Sequence, residues 1–282
     1  MTELQKCEFS LLEKAIKIIN DNNLTYYLVC GSALGAVKYE GFIPWDDDID
    51  IALPRNDYEK FIELVKENYS DDFALQNYRC APNIPFFYSK IRNGKTTFIE
   101  KSVSTFDINH GVFIDVFPLD GYPETGFCSF CFELKKKVLW RMISSVFVRE
   151  NKLKKLVFYP IKALITKHLY HFVSEYEKHI SKFSTTNSRM LCNFGNSPFK
   201  LEYSPKEHYG EGKKIKFEGL DVIVPERYDD YLTQKYGDWR AELPDDQKKG
   251  HHHFVVCDLE HPYTDYIERV SKNKIRIKSM KA

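Results

Sequence analysis

The amino-acid sequence predicts an α/β protein with a mixed β-sheet flanked by helices and with a helical and β-hairpin C-terminal region. Three observations indicate this fold class. Residues 3–21 have the apolar spacing of an amphipathic helix, and the short apolar runs Tyr26–Cys30 and Val112–Phe117 are typical of buried strands. The 282 residues are enough for one or two domains with a large core. We expect residues 1–123 to form the sheet and residues 124–282 to complete the same unit.

The overall charge is close to neutral, with 41 Lys and Arg residues against 40 Asp and Glu residues. This balance lacks the basic excess of nucleic-acid-binding proteins, so we expect no nucleic-acid partner. The seven cysteines are an odd and scattered set, which is typical of reduced thiols rather than of a disulfide framework. The N-terminus leads directly into an amphipathic helix without a signal peptide, and we therefore expect a cytoplasmic location.

The pair Gly31-Ser32 follows the first predicted strand, and Ala33–Val37 suit a short helix that starts there. A helix N-terminus next to glycine offers backbone N–H groups and the positive end of the helix dipole, which is a common way to bind phosphate. Most Gly-Ser pairs are only turns. The interpretation of Gly31 and Ser32 as substrate-binding residues therefore depends on the acidic run that follows.

Four aspartates lie within Trp45–Leu53, namely Asp46, Asp47, Asp48 and Asp50. We expect an extended strand here, in which Asp46, Asp48 and Asp50 share one face about 6.6 Å apart, at a rise of about 3.3 Å per residue. Neighbouring carboxylates then repel by roughly 2–3 kcal/mol at an effective dielectric constant near 20. A divalent cation turns this repulsion into binding energy, and oxygen ligands favour Mg²⁺ or Mn²⁺. A solvated acidic loop is the structural alternative.

A further carboxylate lies in the apolar run Val112–Phe117, where Asp115 is the one charged residue of a predicted buried strand. A buried carboxylate needs a partner, and a metal shared with Asp48 and Asp50 would supply it. We expect Asp120, which precedes a glycine, to be a turn residue.

Three other polar residues are candidates for contact with substrate. Lys90 and Arg92 lie two positions apart on a predicted strand, so their side chains share one face and together suit a diphosphate. Two solvated cations on an edge strand are the alternative. His110 is a candidate hydrogen-bond donor or proton acceptor, although isolated histidines are more often structural.

The sequence resembles the LicD family of phosphocholine transferases, whose animal relatives are fukutin and the fukutin-related protein. The segments that carry the resemblance are Gly31–Val37, Gly41–Asp50, Pro54–Tyr58, Pro85–Arg92 and Phe217–Pro244. The resemblance implies a nucleotidyltransferase-type fold, in which residues 1–123 are the catalytic core and residues 124–282 complete the LicD-type unit.

The resemblance also implies an activity. The expected reaction moves phosphocholine, or a related phospho-alcohol, from CDP-choline or another CDP-alcohol to a hydroxyl of a cell-surface glycan, with release of CMP. The glycan acceptor would be lipopolysaccharide, teichoic acid or a capsule precursor. By the same resemblance, Asp48, Asp50 and Asp115 are catalytic and bind Mg²⁺ or Mn²⁺, with Asp46 as an additional metal ligand.

Three alternatives to this activity remain open. A nucleotidyltransferase proper would leave the nucleotide on its acceptor. An Asp-x-Asp glycosyltransferase would use a sugar nucleotide instead of a CDP-alcohol. A silent nucleotide-binding scaffold would have no activity at all, and substitution of Asp48 would then leave its function unchanged.

The C-terminal half has a basic helical segment and a predicted hairpin. Residues 127–180 are predicted to be mainly helical, and residues 134–172 contain ten Lys or Arg residues against the single acidic residue Glu150. Such a segment suits peripheral contact with the inner face of the cell membrane, and a solvated basic helical face is the alternative. No apolar run is long enough to span a bilayer. Lys213–Phe217 and Asp221–Val224 predict the two strands of the hairpin.

Two short motifs have no assigned role. Cys128 and Cys131 have the spacing of half a zinc site, but no second pair of ligands is evident. The run His251–His253 follows the loop Lys248–Gly250, where it suits phosphate or metal. A solvated loop is equally compatible with the sequence.

Overall fold

The computed structural model of the protein describes residues 1–81, 84–123, 126–146, 162–195, 203–250, 252–271 and 274–278. The named helices are α1 Glu3–Asp21, α2 Cys30–Tyr39, α3 Arg55–Glu67, α4 Phe127–Ser144, α5 Leu169–Ile180, α6 Lys206–Tyr209 and α7 Tyr228–Tyr236. The strands are β1 Tyr27–Leu28, β2 Asp50–Pro54, β3 Ala74–Gln76, β4 Ser89–Asn93, β5 Thr97–Glu100, β6 Val112–Tyr122, β7 Met190–Asn193, β8 Tyr203–Pro205, β9 Lys213–Phe217, β10 Leu220–Val224, β11 Phe254–Asp258, β12 Ile267–Ser271 and β13 Lys274–Ile277.

A seven-stranded mixed sheet forms the centre of the fold. Its strand order is β1-β2-β6-β4-β3, and β7 and β8 are added beside the second half of β6. The pair β2 and β6 is parallel, and the other pairs are antiparallel. Helices α1 and α3 contact this sheet. The predicted fold class, a mixed β-sheet flanked by helices, is confirmed.

Helix α1 covers the predicted range and begins at a capping box. The Thr2 hydroxyl accepts a hydrogen bond from the Gln5 backbone N–H, and the Gln5 side chain accepts one from the Thr2 N–H. This reciprocal pair satisfies two N–H groups that have no partner within the helix. Leu11, Leu12 and Ile19 of the same helix are buried in the main core. Helix α1 is thereby packed against the sheet.

The strand that carries the aspartates is shorter than predicted. β2 begins at Asp50, whereas Asp46, Asp47 and Asp48 lie in a loop. The prediction of one extended strand with three aspartates on one face is therefore wrong. Consecutive aspartates have low strand propensity and repel one another, and pairing starts only where β6 offers a parallel partner.

Strand β6 is longer than predicted and includes Asp120. The prediction that Asp120 is a turn residue is wrong, because this carboxylate is fully buried in the sheet. Arg55 of α3 donates two hydrogen bonds to Asp120, at 2.8 and 2.6 Å, and a third at 2.9 Å to Glu177 of α5. This buried ion pair connects both helices to the sheet.

The sheet and its core extend beyond residue 123. β7 pairs with β6 in the central sheet, and β11 pairs with β5 in a separate two-stranded sheet. The predicted hairpin is confirmed as β9 and β10, and together with α7 it contributes Phe217, Val222, Val224, Tyr231 and Leu232 to the main core. The C-terminal half therefore packs as part of the same core as the first half.

Helices α4 and α5 contact each other and share a second apolar core that includes Phe132, Ile143 and Val173. The predicted helical region is confirmed where the structure describes it. Residues 147–161, with part of the basic segment and Pro160, lie outside the described residues. No helix in the described part of the chain is long and apolar enough to cross a membrane.

Candidate active site

Three neighbouring strands place charged side chains next to one another. Asp50 of β2 is the register partner of Asp115 of β6, and Asp115 is the register partner of Lys90 of β4. Directly opposed residues on adjacent strands share one face of the sheet, so the three side chains form a row. Lys90 Nζ lies 3.0 Å from Asp115 Oδ1. The sheet therefore brings Asp50 and Asp115 together, as the sequence predicts.

The acidic loop is held beside this row by helix α1. The buried Gln5 side chain donates hydrogen bonds from Nε2 to the carbonyl oxygens of Asp46, at 3.0 Å, and Ile43, at 3.4 Å. These contacts fix the backbone of the loop at both ends of the turn that precedes Asp48. The loop aspartates thus reach the same region as Asp50 without belonging to its strand.

Helix α2 begins at Cys30, which has a left-handed backbone with φ 55°. Gly31 lines the cleft described below, and a Cβ added to Gly31 would lie 2.6 Å from Asp46 Oδ2. The Ser32 hydroxyl is used differently: it accepts a hydrogen bond from the Asp50 N–H at 2.8 Å and is buried. Ser32 therefore holds the start of β2, and its side chain does not line the cleft.

These elements enclose a cleft of about 470 Å³. Its charged lining consists of Asp46, Asp48, Asp50, Asp115, Glu100 and Lys90. Its aromatic lining consists of Trp45, Phe86, Tyr88 and Tyr236. This volume lies within the usual range of small-molecule sites. All four aspartates that the sequence singles out as metal ligands line this one cleft.

Burial and mutual repulsion raise the pKa values of these aspartates. Loss of solvation is the largest cause for Asp46, whose pKa rises to about 6, and for Asp48, whose pKa rises to about 7. Repulsion from neighbouring aspartates adds to both shifts. Burial also raises the pKa of Asp50 and of Asp115, although Lys90 opposes the rise for Asp115. A divalent cation stabilises carboxylates that share a cleft and repel one another, so this set of donors fits Mg²⁺ or Mn²⁺.

The two predicted cationic contacts have different environments. Lys90 lines the cleft, where its Nζ also lies 3.5 Å from Glu100 Oε1. Arg92 is fully buried and donates hydrogen bonds of 2.6–2.8 Å to the side chains of Gln76 and Glu100 and to the Gly111 carbonyl oxygen. The prediction that Arg92 contacts substrate is therefore corrected, because its guanidinium is used within the fold. Arg92 instead holds Glu100 next to Lys90.

His110 is also placed away from the cleft. It is fully buried, and its Nε2 lies 2.9 Å from the Phe106 carbonyl oxygen. Burial lowers its pKa to about 4, so the ring is neutral near pH 7. The prediction of His110 as a substrate contact is corrected, and its position is that of a structural histidine.

His252 is a cleft residue that the sequence analysis names only as part of the run His251–His253, without placing it beside the aspartates. Its Nδ1 lies 3.4 Å from Asp47 Oδ1 and 3.8 Å from Asp48 Oδ2, and its backbone N–H donates to Asp47 at 3.1 Å. Its ring packs edge-on against Phe113 with centroids 5.3 Å apart. The histidine run was the available signal, but no local pattern connects it to an acidic loop about 200 residues earlier in the chain.

Asp47, Asp48 and His252 also form a potential cation-binding group. Their potential ligand atoms lie within 4.8 Å of one another. Asp48 thus belongs both to this group and to the four aspartates that line the cleft. Cys128 and Cys131 are exposed on α4, and neither belongs to a group of three or more metal-ligating side chains in the described part of the chain.

Comparisons with known proteins show which sequences this chain is similar to. Residues 23–141 match a family model described as LicD/FKTN/FKRP, nucleotidyltransferase domain. The lipopolysaccharide cholinephosphotransferase LicD of Haemophilus influenzae is 26% identical over 239 residues, which cover 81% of this chain and 87% of that protein. An uncharacterised protein of Rickettsia prowazekii is 26% identical over 116 residues, which cover 41% of this chain and 40% of that protein. The matched region contains all four aspartates of the cleft, and the chain is similar over most of its length to a LicD cholinephosphotransferase.

Proposed function

We propose that the protein transfers phosphocholine, or a related phospho-alcohol, from CDP-choline or another CDP-alcohol to a hydroxyl of a cell-surface glycan. The relative from Haemophilus influenzae is a lipopolysaccharide cholinephosphotransferase, which makes lipopolysaccharide the first acceptor to test. Teichoic acid and capsule precursors are the other candidate acceptors. CMP is the leaving group of this reaction.

One observation supports this proposal above the others: the cleft combines four aspartates with four aromatic side chains. Carboxylates that hold a divalent cation suit the diphosphate of a CDP-alcohol. Aromatic faces bind quaternary ammonium groups by cation–π attraction. A cleft with both features suits a donor that carries a diphosphate and a trimethylammonium group, whereas a neutral polyol such as ribitol has no positive charge for cation–π attraction.

We propose that Asp46, Asp48, Asp50 and Asp115 hold Mg²⁺ or Mn²⁺. When bound, such an ion neutralises the charge of the diphosphate and of the departing nucleotide. Asp48 belongs both to these four aspartates and to the group formed with Asp47 and His252. We therefore expect its carboxylate to matter most for cation binding.

The other residues of the cleft then position the reactants. Gly31 lies in the first turn of α2, where backbone N–H groups have no partner within the helix and suit a phosphate oxygen. Lys90 adds a positive charge next to Asp115.

The acceptor oxygen attacks the phosphorus that bears choline, the bond from this phosphorus to the CMP oxygen breaks, and the acceptor proton passes to a carboxylate. We assign this proton transfer to Asp115, which lies opposite Asp50 on the neighbouring strand and 3.0 Å from Lys90 Nζ.

Thermal stabilisation by candidate donors tests the proposal. The panel contains CDP-choline, CDP-ethanolamine, CDP-glycerol, CDP-ribitol, UDP-glucose and GDP-mannose, each with Mg²⁺ or with chelator. A ligand that binds only the folded state stabilises it by about 2.7 kcal/mol at a hundredfold excess over the dissociation constant. We expect the largest shift with CDP-choline and Mg²⁺, and its loss with chelator or in an Asp48→Asn, Asp50→Asn double variant. A shift with sugar nucleotides alone would instead favour the glycosyltransferase alternative.

A further inference from the structure

Helix α4 has an exposed apolar stripe on the side that faces away from the protein. Phe127, Phe130, Leu134 and Val138 are 82%, 63%, 55% and 52% exposed. Their spacing of three, four and four residues places them within an arc of about 80° at 100° per residue. A surface helix normally shows such a stripe to the core, and four large exposed apolar side chains in a row mark a site of interaction.

The opposite side of the same helix already packs against the protein. Phe132, Lys136 and Ile143 are buried there, and Phe132 and Ile143 belong to the second apolar core. On a helical projection these three residues lie about 180° from the centre of the exposed stripe. The stripe is therefore not the side by which α4 packs against its own fold.

The exposed charged residues of α4 itself are all basic. Lys135, Lys137 and Arg141 are exposed on α4. Glu133, the one acidic residue of this helix, is engaged by Lys136, at 2.6 Å, and by the hydroxyls of Tyr122 and Tyr203. The chain as a whole is nearly neutral, so this basic surface is a local feature. We call the four apolar residues of the stripe, with these three exposed cations, the α4 face.

We propose that the α4 face docks on an anionic lipid bilayer. The apolar side chains would enter the boundary between headgroups and acyl chains, while the cations pair with lipid phosphates at its edge. Charge complementarity favours an anionic bilayer as the binding partner, because the α4 face combines an apolar stripe with cations and presents no exposed carboxylate. The helix lies along the surface and does not span the bilayer, since no described helix is long and apolar enough to do so.

Vesicle co-sedimentation of the full chain tests this proposal. The vesicles are phosphatidylcholine alone, or phosphatidylcholine with about one third phosphatidylglycerol. We expect binding to the anionic vesicles, little binding to the neutral ones, and a loss of binding when salt is raised well above the physiological range. Each basic residue near an anionic surface contributes roughly fivefold, so a Lys135→Gln, Lys137→Gln, Arg141→Gln variant should bind about 100-fold more weakly.

A second variant, Phe127→Ser with Phe130→Ser, removes half of the apolar stripe and should lower binding at least about tenfold. Matched controls make the same kinds of change elsewhere on the surface. Tyr69→Ser with Val270→Ser removes exposed apolar side chains, and Lys60→Gln, Lys66→Gln, Lys101→Gln removes exposed cations. The controls should bind as the unchanged protein does.

Thermal stability and stabilisation by CDP-choline show whether each variant is folded, since the α4 face is not part of the cleft. Equal loss of binding in the controls would overturn the proposal, and so would absence of binding by the unchanged protein. Concentration-dependent self-association that disappears in the Phe127→Ser, Phe130→Ser variant would also overturn it, because the α4 face would then be an interface between two copies of the chain. Failure of donor binding with intact vesicle binding would count against the proposed function alone.

Discussion

Replacement of Asp48 by asparagine should stabilise the metal-free protein and inactivate it. Asp48 lies in the acidic loop, where burial and repulsion from Asp46 raise its pKa from 3.8 to about 7. Because this pKa is higher in the folded than in the unfolded chain, the folded state binds the proton more tightly. Ionisation of Asp48 therefore removes stability as the pH rises from about 4 to about 7.

The size of the effect follows from the pKa shift. One pKa unit corresponds to 1.36 kcal/mol, so a shift of about three units gives a maximum of about 4 kcal/mol at pH 8. Asparagine keeps the shape of the side chain without its charge, but it loses the attraction to His252, which lies 3.8 Å from Asp48. We therefore expect a net gain of about 2 kcal/mol in the free energy of unfolding at pH 8, and a smaller gain at pH 5.

Urea unfolding in the presence of chelator measures this gain at both pH values. Asp246→Asn is the matched control, because Asp246 is an exposed aspartate outside the cleft. Added Mg²⁺ should stabilise the unchanged protein and the control but not Asp48→Asn. The reasoning is refuted if Asp48→Asn destabilises the metal-free protein at pH 8, because the carboxylate would then be stabilised by its surroundings instead of repelled by them.

Four other predictions follow from the same structure. The stabilisation produced by Mg²⁺ should increase between pH 6 and pH 8, because Mg²⁺ binding requires ionised carboxylates and the pKa values of Asp46 and Asp48 are about 6 and about 7. A calorimetric titration that shows constant Mg²⁺ affinity over this range would contradict this prediction. Gly31→Ala should displace Asp46, since its Cβ would lie 2.6 Å from Asp46 Oδ2, and we expect a loss of Mg²⁺ affinity with little change in urea stability. Ser32→Ala leaves the buried Asp50 N–H without its acceptor and should cost about 1–3 kcal/mol in urea unfolding, whereas an unchanged midpoint would show that the hydrogen bond contributes nothing. Arg92→Met breaks a buried ion pair and should cost about 3–5 kcal/mol, a loss that a purely substrate-binding arginine would not show.

The parts of the site that depend on local pattern could be predicted from the sequence. Asp50 and Asp115 each lie in or beside an apolar run that forms a buried strand, and two such strands in one sheet bring their charged residues together. Asp46 and Asp48 lie near Asp50 as the sequence predicts, but they do not lie on one strand with it. They reach it through a loop held by Gln5 of α1, and no periodicity in the sequence reveals that contact.

The parts that depend on distant contacts could not be predicted. Lys90 and Arg92 share a strand face, yet only Lys90 lines the cleft, because Gln76 and Glu100 from two other strands bind the Arg92 guanidinium. The alternation of side chains along a strand shows on which face of the sheet a residue lies, but not which residues of other strands surround it. For the same reason, His252 could be recognised only as part of a histidine run, since its contact with Asp47 depends on how the C-terminal region folds back.

Transfer from doubly labelled CDP-choline tests the central claim most directly. The purified protein is incubated with Mg²⁺, lipopolysaccharide that lacks phosphocholine, and CDP-choline labelled separately on choline and on cytidine. Our account predicts that the choline label moves to the glycan, that the cytidine label is recovered as CMP, and that an Asp48→Asn, Asp50→Asn variant transfers neither. Cytidine label on the glycan would contradict the account and identify a nucleotidyltransferase proper. Transfer by the double variant at an unchanged rate would show that the acidic cleft is not the active site.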